Sequence, residues 1–120
     1  MKYFRKYPSN YIRANKNPNM IKCEDGSIFE GITDISNASS EDFASGTPIC
    51  RFTSADGVRA ISIVVNGDVE YDEDDEEISN NWYEIVYYDD GDEVDSDVAD
   101  VDGMSFKQLC DYCSKEMKNF

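Results

Sequence analysis

The sequence predicts an α+β fold: an antiparallel β-sheet meander with a C-terminal amphipathic helix packed on it. Three observations carry this expectation. From residue 20 onward, short runs of β-forming residues alternate with turns rich in Gly, Asn and Asp. Sustained helical periodicity appears only near the end, over residues 105–118. The hydrophobic fraction is 40%, with 12% aromatic residues, too high for an acidic chain that stays disordered. A length of 120 residues suits a single domain, 1–120, that buries roughly two-thirds of the surface of its unfolded chain.

Residues 1–19 form a basic and aromatic arm. Lys2, Arg5, Lys6, Arg13 and Lys16 are interleaved with Tyr3, Phe4, Tyr7, Tyr11 and Ile12, and no acid occurs among them. Pro8 and Pro18 oppose a long helix. Such alternation also describes a nucleic-acid arm. The preferred reading is that it neutralises the acidic segment of its own chain while its tyrosines pack on the core.

The sheet is expected over 20–102. Met20–Cys23 and Ser27–Glu30 flank Glu24-Asp25-Gly26, where Gly suits the positive φ of a hairpin turn. Residues 33–47 are small and polar, and Ser39-Ser40-Glu41-Asp42 suits one short helical turn. Pro48–Thr53 and Val58–Val65 pair around Ser54-Ala55-Asp56-Gly57, with Ile61, Ile63 and Val65 on the core side. Asn66-Gly67 reads as the clearest hairpin turn, returning the chain through Asp68–Tyr71. Trp82–Tyr88 is a strand ended by Asp89-Asp90-Gly91. Glu93–Val101 returns as extended or irregular chain, although Val94, Val98 and Val101 also have helical spacing. Ser105 and Gln108 then make a capping-box pair. Phe106, Leu109, Cys110, Cys113 and Met117 form one apolar stripe, and Lys115 and Lys118 complement the helix C-terminus.

Charge is distributed unevenly. Asp68 to Asp102 contains seventeen carboxylates and no Lys or Arg, while the remainder holds eleven bases and nine acids. The formal charge of −15 is therefore concentrated in the segment 68–102. Like charges packed this densely destabilise a compact state, which points to a positively charged partner. Residues two apart on a strand lie about 6.6 Å apart on one face. That is close to the spacing of successive phosphates on a nucleic-acid strand. Asp68, Glu70, Asp72, Asp74 and Glu76 alternate in this way, as do Glu93, Asp95 and Asp97, then Asp100 and Asp102 in the other phase. The phosphate-like set expected to meet a partner is Glu70, Asp72, Asp74, Asp75, Glu76, Asp89, Asp90, Asp92, Asp95 and Asp97.

Charge gives little specificity without an apolar anchor. With Glu84 towards water, period two places Trp82, Val86 and Tyr88 on its face and Tyr83, Ile85 and Tyr87 in the core. Trp82 and Tyr88 are the anchors. The alternative arrangement has the C-terminal helix over that face, with Glu84 at its edge.

Other chemistries have weaker support. There is no His to serve as a general base near neutral pH, and no G-x-S-x-G, P-loop or zinc signature. No catalytic residue and no cofactor is expected. The EF-hand pattern before Gly103 starts on Val98, and its last ligand position falls on Leu109, so no calcium site is expected. Cys110 and Cys113 form C-x-x-C, yet they lie within the helical stripe rather than at a helix start. A zinc site would need Cys23 and Cys50 brought beside them, and the expectation is core thiols without metal. A merely solubilising surface would spread its acids more evenly.

No apolar run of signal-peptide length follows the basic start, so a cytoplasmic protein, without membrane contact, is expected. In size, charge and the missing signal peptide, the chain resembles the small acidic inhibitors that bacteriophages make against DNA-handling host proteins. These include anti-CRISPR proteins, anti-restriction DNA mimics and inhibitors of uracil-DNA glycosylase. The resemblance covers no motif and transfers no residue. It implies a phage-encoded, non-catalytic inhibitor, acting in the bacterial host cytoplasm, that imitates the nucleic-acid backbone. Its partner would be a basic nucleic-acid-binding protein such as a nuclease, CRISPR effector or restriction enzyme, with no direct binding of nucleic acid. The alternative is an acidic adaptor or chaperone that shields a basic protein without competing with nucleic acid.

Overall fold

A computed structural model describes residues 19–120. The expectation for the basic arm, apart from Asn19, lies outside the described residues. One antiparallel sheet contains six strands in sequence order: β1 (Asn19–Lys22), β2 (Ile28–Gly31), β3 (Pro48–Thr53), β4 (Arg59–Tyr71), β5 (Glu77–Asp89) and β6 (Asp92–Val98). A 3-10 turn, Ser40–Asp42, lies between β2 and β3, and the helix α1 (Phe106–Lys118) closes the chain. The α+β meander is thus as the sequence predicts.

Each turn follows from its residues. Gly26 takes a φ of +94° between β1 and β2, where Asp25 accepts hydrogen bonds from the Ser27 amide and hydroxyl. Asp90 and Gly91 both have positive φ in the two-residue turn between β5 and β6. The Ser105 hydroxyl accepts from the Gln108 amide, and the Gln108 side chain accepts from the Ser105 amide, so the capping box forms.

One face of the sheet packs against α1, chiefly over β3 and β4. Leu109, Cys110 and Cys113 enter a core with Phe29, Ile61, Ile63, Val65, Tyr83 and Ile85. Val101 and Ala99, just after β6, are buried in the same cluster. Gly31 on β2 leaves room for the Phe106 ring, which a Cβ there would meet at 2.7 Å.

The hairpin expected at Asn66-Gly67 does not form. β4 continues through it, pairing Asn66 with Trp82 and Gly67 with Asn81, and the chain reverses at 72–76. The reason is across the strand. A Cβ on Gly67 would collide with the Asn81 side-chain amide oxygen. That Asn81 side chain donates to the carbonyls of Phe43 (2.8 Å) and Ser40 (3.4 Å). The Asn81 carbonyl accepts from Ser40 Oγ at 2.8 Å, and its amide donates to Glu41 Oε1 at 3.0 Å. Gly67 therefore serves close approach rather than a turn, and Asn81 fastens the loop before β3 to the long hairpin.

Tyr83 carries a buried hydroxyl with no hydrogen bond among the described residues. Burial, with Asp102 and Asp42 nearby, pushes its pKa up to about 12 from 10. A raised phenol pKa means the neutral form is preferred in the fold. Its contribution to stability is complete below pH 10 and is lost as the pH rises towards 12. Tyr83→Phe is expected to move the midpoint of alkaline unfolding, followed by circular dichroism, to higher pH. At neutral pH the variant should be as stable as the parent or gain up to about 1 kcal/mol, since an unsatisfied buried hydroxyl is removed.

Candidate partner-binding surface

The long β4–β5 hairpin organises the acidic segment. β3 pairs with β4 as far as Val64, and β6 pairs with β5 as far as Glu84. Beyond these points the two strands pair only with each other. Every residue from Asp68 to Asn80 is exposed except Asp72, so the hairpin projects as an acidic two-stranded ribbon. The described molecule is correspondingly long, 56 × 28 × 24 Å.

Of the seventeen carboxylates, eight lie on this free end, from Asp68 to Glu77. Glu84 stands alone in the middle of β5. Asp89, Asp90, Asp92, Glu93, Asp95 and Asp97 surround the turn into β6 and β6 itself. Asp100 and Asp102 are exposed between β6 and α1, flanking the buried Val101. The ends of β5 are about 40 Å apart, from twelve steps of roughly 3.4 Å. The expected set is therefore divided: Glu70, Asp72, Asp74, Asp75 and Glu76 at one end, Asp89, Asp90, Asp92, Asp95 and Asp97 at the other.

The expected regular rows are also shortened. Asp68 and Glu70 do share a face of β4, but alternation stops at Asp72 because the chain turns there. Asp72 Oδ1 accepts from the amides of Asp74 (2.8 Å) and Glu76 (2.9 Å), and the Asp72 amide donates to the Glu76 carbonyl at 3.0 Å. Asp75 has a φ of +59°. The exposed acids of the turn therefore do not continue the strand's alternation, and Asp72 shapes the turn. On β6 a register shift pairs Glu93 with Tyr88 but Asp95 with Tyr87, which lie on opposite faces. Glu93 is thereby separated from Asp95 and Asp97.

Asp95 and Asp97 have a second role in the local structure. Each side chain accepts from the next amide, Ser96 at 2.9 Å and Val98 at 2.8 Å. β6 is an edge strand of the sheet. Capping these two donors with carboxylates blunts the edge against pairing with a further strand. Both acids also line a cavity of about 220 Å³ with Tyr87, Glu116, Asn119 and Phe120. Tyr87 donates its hydroxyl to Glu116 at 3.1 Å, and burial together with that acceptor raises its pKa.

The two expected anchors, Trp82 and Tyr88, lie on the face away from α1. Tyr83 and Ile85 are buried beneath the helix, and Tyr87 packs against that core. Trp82, Glu84 and Tyr88 are half-buried on the other face, with Val86 buried between them. The arrangement with α1 over Trp82 does not occur. The Arg51 guanidinium lies 5.4 Å from the centre of the Tyr88 ring.

Ser45, Gly46 and Val64, not singled out from the sequence, complete this face. Ser45, Gly46, Val64, Val65, Asn66, Glu84, Val86 and Tyr88 line a cavity of about 300 Å³. Asn66 Nδ2 donates to Glu84 Oε2 at 2.5 Å across the strands. The available signal is a lone acid within the β-forming run Trp82–Tyr88; its partner depends on the β4–β5 register, which a turn at Asn66-Gly67 would exclude.

The four cysteines share one region. Cys50, Cys110 and Cys113 are buried, and Cys23 packs partly against the same core. Hydrogen bonding to Cys50 and burial raise the Cys113 pKa, and burial pushes that of Cys110 up to about 12. Protonated buried thiols are poor nucleophiles. Among the described residues, no three His, Cys, Asp or Glu side chains converge as metal ligands. No described helix is long and apolar enough to cross a membrane.

Comparison of the chain with protein-family models, curated proteins and solved structures finds no match.

Proposed function

We propose that the protein is a non-catalytic inhibitor that presents carboxylates in place of backbone phosphates to a bacterial nucleic-acid-binding protein. The supporting observation is the free end of the β4–β5 hairpin. Eight carboxylates project there on a two-stranded ribbon with no third strand alongside. A narrow acidic projection of this kind suits a basic channel that otherwise receives a nucleic-acid strand. Lys and Arg side chains that hold phosphates would hold Glu70, Asp74, Asp75 and Glu76 by the same charge-assisted hydrogen bonds. The β5–β6 end, with Asp89, Asp90 and Asp92, offers a second contact along a basic groove, and the field of both ends speeds encounter.

The adaptor reading has one observation of its own. Val69, Tyr71 and Ile78 are exposed among the acids of the ribbon, apolar surface that a protein partner would cover. Competition separates the readings. The tagged protein is used to capture partners from nuclease-treated bacterial lysate, and the complex is washed with excess duplex DNA. Release of a nucleic-acid-binding protein by DNA is the expected result. A partner that remains bound through the wash would favour the adaptor.

A further inference from the structure

We propose that the cavity beside Glu84, on the sheet face away from α1, receives an arginine side chain of the partner protein. This rests on the partner-binding reading above and names what its central contact recognises. The lining is mixed: Val64 and Val86 on neighbouring strands and the Tyr88 ring supply its apolar part, and Ser45, Asn66 and Glu84 its polar part. The one charge in the lining is Glu84, whose Oε2 is fixed by Asn66 while Oε1 has no hydrogen bond among the described residues. A volume of about 300 Å³ accommodates a single long side chain.

The chemistry of this lining selects the occupant. A neutral apolar group would cover the Glu84 carboxylate with no counter-charge beside it, which is costly. An anion would be repelled by it. A cation with a long apolar stem satisfies both parts, its stem on the valines and its charge on Glu84. Arginine fits better than lysine because its planar, weakly hydrated guanidinium bonds a carboxylate and stacks on an aromatic ring together. Within the chain, the Tyr88 ring already has one such neighbour in the Arg51 guanidinium, 5.4 Å from its centre. Glu84 is also the one carboxylate between the two acidic ends of β5, each of which would draw a basic surface towards it.

The test is a titration of the isolated, isotopically labelled full chain by two-dimensional NMR at physiological salt. The probe is the blocked peptide acetyl-Gly-Arg-Gly-amide, with its citrulline counterpart as the neutral isostere. The expected result is a saturable response to the arginine peptide centred on the amides of Val64, Asn66, Glu84 and Val86. The citrulline peptide should bind at least tenfold more weakly. Glu84→Gln should weaken arginine binding at least fivefold, whereas a chain neutralised at Glu70, Asp74, Asp75 and Glu76 should change it less than twofold. Tyr88→Leu keeps an apolar wall without the ring and should also weaken binding severalfold. Equal binding of both peptides, a response centred on the hairpin tip or β6, or no effect in a folded Glu84→Gln chain would overturn the proposal. A target displaced by DNA alongside a silent cavity would overturn the arginine site alone. Arginine binding alongside a DNA-resistant partner would overturn mimicry alone.

Discussion

The quadruple variant Glu70→Gln, Asp74→Asn, Asp75→Asn and Glu76→Gln is expected to bind its protein target weaker by two orders of magnitude or more. Each replaced carboxylate would face a Lys or Arg that is left in a desolvated groove without its counter-charge, and such losses commonly reach 2–5 kcal/mol for a buried pair. Asp72 is retained because it accepts the Asp74 and Glu76 amides and holds the turn. Asn at position 75 tolerates the positive φ that Asp75 adopts. The four replacements also remove four negative charges from a chain of net charge −15, relieving repulsion in the folded state. The variant should therefore be at least as stable to urea as the parent, so that lost binding is not lost folding. Target affinity by surface plasmon resonance, at two salt concentrations, checks the effect. The parent should lose affinity steeply with salt, mainly through slower association, and the variant should lose much of that dependence. Unchanged affinity in the folded variant would remove the hairpin tip from the interface.

Phe29→Ala is expected to cost about 3–5 kcal/mol of stability. Phe29 on β2 is fully buried, with its ring 4.9 Å from that of Phe106 and 6.4 Å from that of Phe52. It therefore joins the start of α1 to the sheet, and Gly31 on the same strand gives Phe106 the space to reach it. Truncation would leave a cavity that these rings cannot fill without leaving their own contacts. For a domain of this size the loss is a large part of a total near 5–15 kcal/mol. A fall in melting temperature of roughly 15 °C is expected from calorimetry. The free end of the hairpin takes no part in this packing, so target affinity measured well below the transition should stay within about twofold of the parent.

Much of the fold was legible because its signals are local. Gly26 and the Asp90-Gly91 pair meet the conformational demands of their own turns, and the Ser105–Gln108 capping box needs only residues three apart. The period-two placement of Tyr83 and Ile85 inside, with Trp82 and Tyr88 on the other face, holds because β5 is regular there. Asn66-Gly67 misled for the opposite reason. Its turn chemistry is a local preference, overridden by Asn81 fourteen residues beyond Gly67, whose side chain needs a glycine opposite and a loop to bind. The same override moved the reversal to Asp72–Glu76 and cut short an expected row of acids.

The meander, the amphipathic helix and the concentration of carboxylates between Asp68 and Asp102 are all written in the linear chain. Those properties follow from composition and short-range periodicity, which a linear chain records directly. Which face α1 covers, and the division of most of the acids between opposite ends of the long hairpin, emerge only once the strands are paired and packed. The same holds for the capping of an edge by Asp95 and Asp97, and for the meeting of Glu84 and Asn66 in a cavity of mixed lining. These depend on strand register and on which elements end early beside β4 and β5. Register is fixed by side chains from distant parts of the chain packing together, so no single stretch of the sequence contains it.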